Sequence, residues 1–159
     1  MNQFSAPRRG LEILDRARAL APSIRAASDE IEKAGRLTEE IVHALKQADV
    51  FGMAIPTEMG GPEADPMTQL QVVEELSIAD ASVGWVAMIG SDGGYYAAHL
   101  SAEVAGEIYA DPNAVTASTL VPRGQARPVD GGYRVSGQWS FGSASLHAEW
   151  FVGGCLVFD

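Results

Sequence analysis

The order of apolar and polar positions divides the chain into two textures. Up to residue 110 the apolar side chains recur at spacings of three and four, the period of a helix. From residue 114 they alternate among turn glycines and β-branched residues, the pattern of strands. Leu11, Leu14, Ala17, Ala21, Ile24, Ala27 and Ile31 form one apolar helical face, and Pro22 within it predicts a kink or a restart. Thr38 caps a second helix that turns Ile41, Leu45 and Ala48 inward and ends at Gly52. "AIPTEMGGPEADP" (54–66) is dense in Pro and Gly and reads as a loop. Asp65 and Pro66 are an N-cap and first-turn pair for a helix with Met67, Leu70, Val73 and Leu76 inside. Another helix is expected from near Ser82 to about Leu100. Ser101 caps a short last one, which Asp111-Pro112 stops.

Beyond it, "AVTASTLV" (114–121) reads as a strand, "DGG" (130–132) as a turn and "YRVSGQWSF" (133–141) as the next strand. "EWFVGGCLVF" (149–158) reads as a third. The fold class is therefore α+β. An all-α domain over 1–112 is followed, over 113–159, by the start of an antiparallel, barrel-like β-domain. Three strands make a poor independent sheet with open edges. The expectation is that further chain or other subunits cover it.

Composition narrows the partners. A net charge of −10 and a pI near 4.6 argue against nucleic acid, which needs a clustered basic surface. Cys155 is the only cysteine, so no disulfide framework can form within one chain and a reducing cytoplasm is expected. The first twenty residues have no apolar core after a basic start, hence no secretory signal is expected. Ser91, Asp92 and His99 interrupt the most apolar window, "SVGWVAMIGSDGGYYAAHL" (82–100), so no membrane span is expected. GxGxxG after a strand, GxxxxGK[ST], HExxH, paired CxxC and GxSxG are all missing from the sequence.

Few residues invite chemistry. Gly84, Gly90, Gly93 and Gly94 each cost a helix about 1 kcal/mol against alanine. They point either to tight helix packing or to close approach of a ligand. Trp85 is either core or a face for a flat ring. His147 near a strand end is read as structural, His43 as solvent-facing, and His99 as a helix-end cation. No two histidines share a metal-ligand spacing, so no metal is expected. Glu74-Glu75 is a solvated face, and Cys155 a small buried apolar residue.

The stretch "SGQWSFGSASLHAEW" (136–150) is different, because bulky aromatics alternate with Gly, Ala and Ser. Small residues let a planar ligand approach the backbone, and hydroxyls and N–H groups can bond its polar edge. The aromatics supply a stacking surface. An isoalloxazine ring needs such surroundings.

The order of helical region, "IPTEMGG" (55–61), Gly-rich helix and "DGGYRVSGQWSFGSASLHAEW" (130–150) resembles the acyl-CoA dehydrogenase superfamily. Within it the chain is most similar to the flavin-dependent monooxygenases that take reduced flavin from a separate reductase. The resemblance covers essentially the whole chain but only about the first two-fifths of a family member; the rest of the β-domain and a C-terminal helical bundle have no counterpart here. It implies FMN or FAD as cofactor, a small organic substrate, a flavin reductase as partner and a homo-oligomer, dimer or tetramer. It implies that Phe141 lies against the flavin and that the Ser143 hydroxyl meets N5 as the catalytic group. It further implies that Ser118 and Thr119 contact the ring edge and that Trp85 lines the flavin and substrate pocket. "STLVPRGQARPVDGG" (118–132) stands where dehydrogenases carry a Thr-Glu-Pro…Gly-Ser-Asp loop. "SDGGYY" (91–96) lacks the histidine of several phenol hydroxylases, so no catalytic base is assigned. Two other readings remain: an FAD enzyme of the acyl-CoA dehydrogenase type, and a non-catalytic fragment or subunit that keeps the fold.

Overall fold

A computed structural model describes residues 8–159. Most of the predicted face of the first helix is present in α1 (Arg8–Ala34): Leu14, Ala17, Ile24 and Ile31 are buried, Ile13 joins them, and Leu11 lies exposed. The helix runs unbroken through Pro22, so the expected restart does not occur. Ala17 and Ile24, both fully buried, pin it on either side of the missing backbone donor, and tertiary contact outweighs the local penalty.

Thr38 Oγ1 accepts from Ile41 N at 3.3 Å and starts α2 (Glu39–Gln47). The helix stops well before Gly52. Asp49, at φ 59°, turns the chain so that Val50 and Phe51 enter the core. Gly52 is instead a close-approach residue: a Cβ there would meet the Pro112 carbonyl oxygen at 2.7 Å.

A 3₁₀ turn (Thr57–Met59) lies within the expected loop. Asp65 accepts from Met67 N and Thr68 N and opens α3 (Pro66–Ala79), as its sequence requires. The buried face is Thr68, Val72 and Leu76, whereas Met67 and Leu70 are each 60% exposed. The inward face is thus rotated from the expected one. Thr68 can be buried because its hydroxyl donates to Asp65 at 2.6 Å.

The helix expected from Ser82 to Leu100 is two helices. Asp80 caps α4 (Ala81–Gly90), the chain breaks at Ser91-Asp92, and α5 (Gly93–Ala97) follows. Ser101 caps α6 (Ala102–Ile108). One hydrophobic core joins α1, α2, α3 and α4 around Phe51, Leu45, Val72, Leu76 and Val83. A second, smaller cluster holds Ile55, Ala97 and Tyr109.

The sheet consists of β1 (Thr116–Val129), β2 (Gly132–Ser136) and β3 (Trp150–Val157), in the order β2-β1-β3. β1 is longer than the sequence pattern implied and has a register shift between Thr119 and Gly124. Gly131, at φ 78°, makes the turn to β2, and this pair is antiparallel as expected. β3 pairs with β1 in parallel, which makes the sheet mixed. The reason lies in residues 137–149. "YRVSGQWSF" is not one strand: after Ser136 the chain leaves the sheet and crosses to the far side of β1 before pairing again. That crossover carries the aromatic and small residues singled out above.

Candidate functional site

Trp139 anchors the crossover. Its Nε1 donates to the Gly154 carbonyl at 2.8 Å, and its ring meets Phe151 edge-on, with centroids 6.1 Å apart. The indole lies in a cradle of glycines from both strands. A Cβ at Gly124 or Gly153 would come within 2.3 or 3.0 Å of it. Those glycines are therefore required by the tryptophan.

Past this anchor the chain makes tight turns. Ser143 N donates to Phe141 O, Ser145 N to Gly142 O, and His147 N to Ala144 O. Phe141 and Ala144 both have left-handed backbones, at φ 62° and 64°, a conformation that costs a non-glycine residue about 1–2 kcal/mol. Ala144 is offset by burial against the helical core. Phe141 has no such compensation, since its ring is 94% exposed.

Two clefts flank this segment. One, of 190 Å³, is lined by Ser118, Thr119, Leu120, Val121, Arg123 and Phe141, with Trp139 and Ser140. Thr119 Oγ1, like Thr116 Oγ1, is buried and finds no hydrogen-bond partner among the described residues. The other, of 230 Å³, is lined by Arg36, Val86, Ser143, Ser145 and His147. Trp85 Nε1, from α4, donates to Ser143 Oγ at 2.9 Å. The structure thus brings Ser118, Thr119 and Phe141 to one cleft and joins Trp85 to Ser143 beside it.

The glycines of α4 and α5 belong to packing. A Cβ at Gly84 would reach Ser77 Oγ at 1.9 Å, and at Gly94 the Ala54 carbonyl oxygen at 2.1 Å. Gly90 and Gly93 face the rings of Phe51 and Tyr109. Of the two readings left open for these residues, helix packing accounts for all four.

Glu149 gave no signal in the sequence, yet it locks the crossover's end. Its Oε2 accepts from Val115 N at 2.7 Å, its own N–H donates to Val115 O, and its Oε1 pairs with Lys46 of α2. His43 and His99 are exposed. Burial, and then the charge of Arg36, hold the His147 imidazole below its ordinary value. The folded state therefore binds that proton less readily than the unfolded chain. Stability from this group is complete above about pH 6.5 and declines as the pH falls below it. Replacing His147 by Gln is expected to flatten this decline. Urea midpoints measured at pH 7.5 and 5.5 for both proteins test it, and an unchanged difference between them refutes it.

Residues 11–105 match the family model described as acyl-CoA dehydrogenase, N-terminal domain. The chain belongs to the acyl-CoA dehydrogenase family. Among its relatives is the pigment production hydroxylase of Rhodococcus sp. (strain ATCC 21145), 32% identical over 149 residues, which cover 93% of this chain and 38% of that protein. The flavin-dependent monooxygenase, oxygenase subunit HsaA, of Rhodococcus jostii (strain RHA1) is 31% identical over 92% of this chain and 39% of its own length. XiaF from Streptomyces sp., solved in complex with FADH2 and glycerol, superposes with a TM-score of 0.86 at 27% identity, over 94% of this chain and 39% of that one. The chain thus spans under two-fifths of the length of these family members. Among the described residues no helix is long and apolar enough to cross a membrane, and no cluster of His, Cys, Asp and Glu could hold a metal ion.

Proposed function

We propose that the chain carries the flavin shelf of an oxygenase that uses reduced flavin and O2 to hydroxylate a small organic substrate. The observation that carries this reading is the pairing of Trp85 with Ser143 on the crossover whose Phe141 lines a cleft together with Ser118 and Thr119. Ser143 Oγ accepts from the indole N–H, so its own proton is left to be donated to an acceptor on a bound ring. Thr119 lines the cleft and carries a buried hydroxyl without a partner among the described residues, and Phe141 offers an exposed aromatic face. Ser118 lines the same cleft. These groups fit the polar edge and the flat face of FMN or FAD. When bound, the flavin supplies the reducing equivalents and the place where O2 is activated. The chain's part is to orient the ring, supply donors to its edge and set the indole of Trp85 beside it. In this reading the helical part spans 1–112 and the β-part 113–159, a flavin reductase delivers the cofactor, and the working form is a cytoplasmic homo-oligomer.

Anaerobic titration of the complete protein with reduced FMN and FAD tests the reading, followed by admission of O2 and search for a hydroxylated product. Reduced flavin retained and product formed support it. Bleaching of bound FAD by an acyl-CoA, with no oxygen-dependent product, favours a dehydrogenase instead.

Thr119 gives a sharper expectation. Thr119→Val keeps the shape and removes a buried hydroxyl without a partner. The flavin-free protein is expected to gain about 1 kcal/mol, while flavin affinity falls roughly tenfold. Paired denaturation and flavin titrations check both signs. A variant that loses stability and keeps its affinity removes Thr119 from the site.

A further inference from the structure

A groove of 690 Å³ separates the 3₁₀ turn (Thr57–Met59) from α5 and α6, and shares no residue with either cleft of the crossover. It lies over the smaller hydrophobic cluster, whose Ala97 and Tyr109 line it, with Met59 on one wall. Along the other wall Ala98, Ala102, Ala105, Gly106 and Ala110 recur at helical spacings and follow α6 for about two turns. These side chains are too short to close the groove. A Cβ at Gly106 would meet nothing within 4 Å, and Leu100, which also lines the groove, is 38% exposed. Unlike the glycines of α4 and α5, Gly106 is not required by packing within the chain.

The charge around this groove is one-sided. Residues 47–122 contain eleven of the 21 Asp and Glu and none of the 11 Lys and Arg. The chain's net negative charge therefore lies in the stretch that builds both walls. Glu58 lines the groove, and Glu103 and Glu107, one turn apart on α6, are exposed and each adjoins a groove residue in sequence. None of the three has a Lys or Arg within 4 Å among the described residues, whereas Asp15, Asp49, Glu75 and Glu149 each hold one.

We propose that this groove docks a basic amphipathic helix of another protein, its apolar face on Met59, Tyr109 and the alanines and its Lys or Arg flanks against Glu58, Glu103 and Glu107. A helix suits the groove because small residues at spacings of three and four let a second backbone approach closely. Charge selects the partner. Acids on the rim hasten the encounter with a basic surface and repel an acidic one, this chain's own α3 to α6 included. The dock uses no residue of the flavin site, so it stands whether or not the chain holds flavin.

The test uses the complete protein and three labelled peptides: KLAKLAKKLAKLAK, its acidic counterpart ELAELAEELAELAE, and a scramble of the first whose lysines fall all round the helix. Fluorescence anisotropy reads binding, and circular dichroism reads the helix formed on binding. The basic amphipathic peptide is expected to gain helix and to bind about tenfold more tightly than either control, or better. Gly106→Leu places a side chain in the groove and is expected to weaken that binding about tenfold at any salt concentration. Glu58→Gln, Glu103→Gln and Glu107→Gln together weaken it by about the same factor in low salt, and much less in high salt, where charge is screened. Gly106 faces open space and the three acids are exposed, so these variants are expected to fold, and melting curves verify this. Ala102→Leu, at another exposed position of the groove, repeats the blocking test. No binding of the basic amphipathic peptide, equal binding of the scramble, or binding that survives both leucine variants overturns the proposal. Self-association of the protein that Gly106→Leu abolishes makes a second copy the occupant and overturns it as well.

Discussion

Gly94→Ala is expected to cost about 3 kcal/mol of stability or more, and Gly106→Ala to gain between about 0.5 and 1 kcal/mol. The two glycines lie in neighbouring helices, α5 and α6, and helix propensity alone would favour alanine at both. Packing separates them. A Cβ at Gly94 would lie 2.1 Å from the Ala54 carbonyl oxygen and 2.3 Å from its carbon. Both atoms belong to backbone, so no rotamer change relieves the clash, and α5 must move away from the segment after α2. A Cβ at Gly106 meets nothing within 4 Å, so only the propensity gain remains. Chemical denaturation of the three proteins checks the pair. A melting temperature lowered by roughly 6–12 °C in Gly94→Ala matches this loss for a chain of this size. Equal effects at the two sites would falsify the packing argument.

Glu149→Ala is expected to destabilise the protein by about 2–3 kcal/mol, and Glu149→Gln by about 1 kcal/mol. Val115 is fully buried, and its N–H has Glu149 Oε2 as its acceptor, at 2.7 Å. Alanine leaves that donor unpaired, at a cost of about 1–3 kcal/mol, and it also frees Lys46. Glutamine keeps an oxygen for Val115 and forfeits the charge that pairs with Lys46. That pair is partly exposed and contributes little by itself. The same change reaches the site. Glu149 closes the crossover that starts at Trp139 and carries Phe141 and Ser143, so Glu149→Ala should also loosen the contact between Trp85 and Ser143. The indole emission of Trp85 reports this loosening, with a Trp85→Phe background used to isolate its signal. Unaltered emission in a destabilised Glu149→Ala protein would separate the clamp from the site.

Local chemistry was legible wherever the cause and its effect lie within a few residues. The caps at Thr38, Asp65 and Ser101 act on backbone N–H groups two or three positions ahead, and a reader of the chain meets both partners together. The Asp130-Gly131 turn and the buried face of α1 are of the same kind. The unusual residue content of the crossover was visible too, because composition requires no geometry. Reading it as a strand failed for a definite reason. Alternation of large and small residues imitates a pleated strand, whereas here the positive φ of Phe141 and Ala144 breaks any ladder and the indole of Trp139 fills a cradle made by Gly124 and Gly153 of the strands.

Most helical segments and the caps at Thr38, Asp65 and Ser101 could be read from the chain, because propensity, capping and periodicity are short-range effects; the break at Ser91-Asp92 could not. Long-range packing decided that Pro22 does not break α1, that β3 runs parallel to β1, and that the glycines of α4 and α5 serve packing. It also decided that Trp85 meets Ser143 across 58 residues of chain, and that Glu149 holds Val115 across 34. Contacts of that separation depend on how whole elements stack, and the order of residues along the chain carries no local trace of them.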